Sequence, residues 1–107
     1  MATTRELEQQ AERLRAEGKF DLAIEKFGEL LAIDPKFVRA QLAVAMLYQK
    51  VGKHELAVSH AERAVELEPD DGLNFTALSV ICQRAFEATR DPMFIQKAES
   101  AKERSHR

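Results

Sequence analysis

Shifted by 34 residues, the sequence lies over itself. Gly18-Lys19 falls on Gly52-Lys53, Leu22-Ala23 on Leu56-Ala57, Ala11 on Ala45 and Pro35 on Pro69. Asp21/Glu55, Ile24/Val58 and Asp34/Glu68 are conservative matches in the same register. One glycine or one proline could coincide by chance, but both together, with small residues between them, define a repeating unit. Such units cannot bury their apolar faces alone, so the chain must stack one on the next.

Each matched residue type has a physical role. Gly18 and Gly52 suit the left-handed backbone that closes a helix, where a side chain would be strained. Asp34-Pro35 and Glu68-Pro69 end helices, because proline disfavours helical geometry in the residue before it. Ala11, Ala23, Ala45 and Ala57 supply the small surfaces at which paired helices approach closely. Thr3 with Glu6 has the form of a capping box, so the first helix should begin near Thr4. The expected helices run over about 4–17, 20–33, 37–51 and 54–67.

The pattern resembles the tetratricopeptide repeat, whose unit is two helices in 34 residues. Unit one (4–37) carries Ala11, Leu14, Gly18, Phe20, Ala23, Phe27, Leu30 and Pro35. Unit two (38–71) carries Val44, Ala45, Tyr48, Gly52, Ala57, Ala64, Leu67 and Pro69. His54 stands where an aromatic usually follows the turn, and Ala61 replaces a bulky residue. Leu7 and Gln41 replace the large aromatic near the start of the first helix. The resemblance implies an all-α, right-handed superhelix of three antiparallel helix pairs in one domain.

The third unit (72–107) departs from the period. Phe75, Leu78, Ser79 and Cys82 keep the register, but Phe86 stands where a glycine is due. No stop signal comes before Arg90-Asp91-Pro92, where Asp91 can cap and Pro92 can open a helix. The expectation is a lengthened fifth helix over about 72–89 and a sixth over about 92–105. Phe94, Ile95, Ala98 and Ala101 form the apolar side of that sixth helix, displaced by about two turns. Its charged remainder suits the capping helix of a stack.

Chemistry finds little support. The formal net charge is −2, with 16 basic and 18 acidic residues interspersed, which gives no footprint for nucleic acid or an anionic membrane. No apolar stretch is long enough to span a bilayer, and Met1–Glu6 lacks the apolar core of a secretory signal, so a cytoplasmic location is expected. His54, His60 and His106 form no metal-ligand set, and no metal or cofactor is expected. Cys82 sits on a core position of the repeat, where an inert thiol is expected. The expectation is a protein that is not an enzyme.

What remains is the surface. The resemblance implies a concave groove lined by the first helix of each unit. Carried over by position, its residues are Arg5, Glu8, Glu12 and Arg15, then Arg39, Leu42, Met46, Gln49 and Lys50, then Leu73, Thr76, Val80, Gln83 and Arg84. The centre is apolar and the edges largely basic, so the expected partner is another protein, offering a partly apolar, acidic peptide or helix. Some relatives grip the acidic tail of heat-shock chaperones. Here Glu8, Glu12, Ala43, Leu73 and Ala77 stand at those clamp positions, and none matches. The alternative is self-assembly, as a homodimer or larger oligomer, through the apolar fifth helix.

Overall fold

The computed structural model describes residues 2–106. They form six helices: α1 (Thr4–Ala16), α2 (Phe20–Ile33), α3 (Val38–Lys50), α4 (His54–Leu67), α5 (Gly72–Thr89) and α6 (Pro92–Ser105). These match the expected spans to within a residue at each end, and α5, with 18 residues, is the longest. Consecutive helices pack as pairs, α2 and α4 each also meet the helix that follows, and α3 lies against α5. The result is a slab of 42 × 28 × 19 Å.

Local chemistry fixes the helix ends. Thr3 accepts from the Glu6 amide at 3.2 Å and its own amide donates to Glu6 Oε1 at 3.3 Å, the reciprocal capping box. After α1, Gly18 takes φ +79, its amide donates to the Arg15 carbonyl, and Lys19 N donates to the Leu14 carbonyl. Gly52 (φ +84) repeats both bonds with Gln49 and Tyr48. This is the Schellman closure that turns the chain back on itself. Where the period loses its glycine, α5 runs on to Thr89, and Arg90 adopts φ 61 with one bond, from its amide to the Phe86 carbonyl. Asp91 then accepts from the Met93 amide at 3.0 Å and opens α6.

Two apolar clusters form the core. One joins Leu7, Phe27, Leu30, Val44 and Leu47 with small residues of α1 to α3. The other joins Val58, Val65, Phe75, Leu78, Ile81 and Phe94 with alanines of α3 to α6. Tyr48 packs against both. Ala11, Ala23, Ala45 and Ala57 are fully buried. At the third crossing Ser79 donates to the Ala98 carbonyl at 3.0 Å, so Ala98 takes the part of Ala23 and Ala57, seven residues beyond the 34-residue register. The aromatic missing at Leu7 and Gln41 returns at the same register position as Phe75.

Gln41 is a buried polar substitute for that aromatic. Its Nε2 donates to the Pro35 carbonyl at 3.2 Å, which turns Oε1 toward His60 Nδ1 at 2.7 Å. Because that oxygen can only accept, Nδ1 carries the proton. The His60 ring also stacks on Tyr48 at 5.5 Å, and its burial lowers its pKa. A bonded amide thus replaces apolar packing at this site.

Candidate functional site on the first helices

The first helices α1, α3 and α5 present one series of side chains. Two contacts tie α1 to α3. Arg39 clasps Glu8 with both arms of its guanidinium, Nε to Oε2 at 3.0 Å and Nη2 to Oε1 at 3.1 Å, and Arg15 Nη2 lies 3.7 Å from Met46 Sδ. The Glu8 carboxylate holds the Arg39 pKa above its ordinary value, first through the hydrogen bond and then through its charge. Both contacts span 31 residues, one repeat less one helical turn. That spacing was the available sequence signal for the Glu8–Arg39 pair, which the sequence reading did not extract.

On α5 the residues Leu73, Thr76, Val80 and Arg84 follow one helical stripe, and all four are exposed. Leu73 is 79% exposed, Val80 46% and Met46 36%, high values for large apolar side chains. Leu42 and Gln49 are half-buried on α3. The apolar strip expected from Leu42, Met46, Leu73 and Val80 is therefore open along most of its length. The other sides of α5 are covered, with Phe75, Leu78, Ile81, Cys82 and Ala85 buried among α3, α4 and α6.

The charged border differs from the sequence picture. Arg39 is already engaged by Glu8, and Arg15 pairs with Glu12 at 3.6 Å. Arg84 lies 3.6 Å from Glu87, with both side chains more than half exposed, a weak pair. Lys50 has its ammonium 5.4 Å over the Phe20 ring. The α1 side is thus largely self-neutralised, α5 carries only the Arg84–Glu87 pair, and uncompensated positive charge lies toward Lys50. Among the clamp positions, Ala43 is buried and unavailable.

The sixth helix borders the α5 stripe without covering it, since Leu73 and Val80 stay exposed. Its last turn meets α5 so closely that a Cβ on Gly72 would lie 2.8 Å from the Ser105 carbonyl oxygen. A pocket of about 220 Å³ opens there, lined by Thr76, Ser79, Val80, Gln83, Lys102, Ser105 and His106. A second cleft, about 450 Å³, lies between α4 and α6, but Lys97 bridges to Glu62 at 3.1 Å and Arg104 stacks over Phe75 at 4.3 Å. Among the described residues no group of three or more His, Cys, Asp or Glu is placed to hold a metal ion. Cys82 is buried, and desolvation, with the Glu62 charge, pushes its thiol up to about 11 against a weaker opposing pull from Lys97.

A tetratricopeptide-repeat family model matches residues 14–79, more than half of the chain. The chain belongs to the tetratricopeptide-repeat family. Similar solved structures include the second tetratricopeptide domain of Spaghetti (RPAP3), bound to the HSP90 peptide SRMEEVD. It has 19% identity and a TM-score of 0.81, with 97% of this chain and 90% of that one covered. The first such domain of the same protein, bound to the same peptide, has 18% identity and a TM-score of 0.81, with 96% and 76% covered. YrrB, a tetratricopeptide protein with an unusual peptide-binding site, has 15% identity and a TM-score of 0.69, with 94% and 58% covered. At these identities the likeness is one of fold. No curated protein matches significantly in sequence.

Proposed function

We propose that this tetratricopeptide domain is a protein-interaction adaptor that holds a partner peptide or helix on its concave face. The observation that carries the reading is the uncovered apolar strip. Met46 of α3 and Leu73 and Val80 of α5 stay exposed, while Phe75, Leu78 and Ile81 of α5 are buried by their neighbours. An apolar strip beside charge is what a partner's apolar side chains can cover. Leu42, Met46, Leu73 and Val80 supply burial, Gln49 and Thr76 supply hydrogen-bonding groups, and Lys50 and Arg84 favour acidic residues on the partner. Arg39 contributes through its Glu8 pair, which holds α1 against α3.

The HSP90 peptide of the RPAP3 structures is a poor candidate here. Glu8 and Glu12 stand at clamp positions, where they would face its acidic residues, and Ala43 and Ala77 offer no donor. The peptide SRMEEVD is expected to show no saturable binding by calorimetry even at millimolar concentration. The groove itself is tested by affinity capture from the native host, comparing wild type with Met46→Glu/Val80→Glu. A protein retained only by the wild type, with both forms equally helical by circular dichroism, supports the reading. Equal retention by both removes it.

A further inference from the structure

We infer that the seam between α5 and the last turn of α6 is a second subsite of the same groove, seating one apolar side chain of the bound peptide with a neighbouring carboxylate on Lys102. The inference rests on the groove reading and adds a residue from outside the first helices. Thr76 and Val80 belong both to the α5 stripe and to the 220 Å³ pocket, so a peptide covering Val80 reaches the seam without a break. The volume is below that of ordinary small-molecule sites, which suits one inserted side chain.

Hydrogen bonding sets the chemistry of the occupant. Thr76 Oγ1 donates to the Gly72 carbonyl at 3.1 Å, Ser79 Oγ to the Ala98 carbonyl at 3.0 Å and Ser105 Oγ to the Lys102 carbonyl at 2.6 Å. Each hydroxyl proton is thus given to a helix carbonyl, leaving the Lys102 ammonium as the pocket's main charged donor. Among the described residues Lys102 has no acidic partner. A free ammonium beside the exposed methyls of Val80 complements an apolar residue one or two positions from Asp or Glu. The site exists because α6 is displaced along α5 and Gly72 admits its carbonyl end.

The test uses the full chain and random dodecapeptides displayed on phage, with the strongest selected peptide then synthesised and measured by calorimetry. The expected selection pairs an apolar residue with a nearby acid. Lys102→Glu should weaken binding about tenfold, because an exposed attraction becomes a repulsion, and Lys102→Arg should restore it. The salt dependence of the affinity should fall in Lys102→Gln. If Met46→Glu abolishes binding while Lys102→Glu and Lys102→Gln change neither affinity nor salt slope, the seam is overturned and the groove stands. If Met46→Glu also has no effect, or no peptide is selected, the groove reading fails and the seam with it.

Discussion

Asn74 occupies the register position of the fully buried Ala40, and its Nδ2 is buried without a hydrogen-bond partner among the described residues. An unmet buried donor costs about 1–3 kcal/mol, so Asn74→Ala should stabilise the fold by ~1 kcal/mol in urea denaturation. Gly18 and Gly52 predict the opposite sign. An added Cβ meets nothing within 4 Å at either, yet the left-handed backbone alone should cost Gly18→Ala or Gly52→Ala about 1 kcal/mol. His60 adds a pH dependence. Its burial lowers the folded pKa, so the unfolded chain binds the proton more readily. The associated stability is complete above about pH 6.5 and is lost as pH falls below it. Denaturation midpoints between pH 7.5 and 5 should therefore fall less in His60→Gln than in the wild type. The Cys82 thiol, held near 11, should resist Ellman's reagent at pH 8 until the protein unfolds.

Helix boundaries were legible because their punctuation is local. Capping residues, glycines and prolines act within a few positions, and Thr3, Gly18, Gly52 and Asp91 each act as their chemistry requires. The long α5 was legible for the same reason, since nothing before Arg90 stops it. The charge pattern of the groove was not. Whether Arg39 faces a partner or Glu8 depends on two helices 31 residues apart coming together, which no local rule supplies. The same holds for Lys102, placed beside Val80 only by the shift of α6. Gly72→Val should push the end of α6 away from α5, destabilise the third pair and weaken any ligand that uses the seam. Hydrogen exchange localised to 92–105 would report it.

For the whole molecule, the competing reading is self-association through the third pair. The large apolar residues that α5 leaves most open, Leu73 and Val80, lie on the groove side, so a dimer through α5 would close the groove itself, whereas one through Met93 of α6 would leave it open. Light scattering after size exclusion should give the monomer mass. A dimer that Val80→Glu dissociates would move self-assembly ahead. One ring then bears on how the domain melts. Tyr48 touches both apolar clusters and stacks on His60, so this residue of α3 is one link between the two halves, beside Ala45 and the Gln41–His60 bond. In a stack held by nearest-neighbour interfaces, cutting such a link lets each half lose order on its own schedule. Heated in a calorimeter, Tyr48→Ala should trade one sharp peak for a broad or double one, with the α1–α2 half and the α5–α6 half parting company.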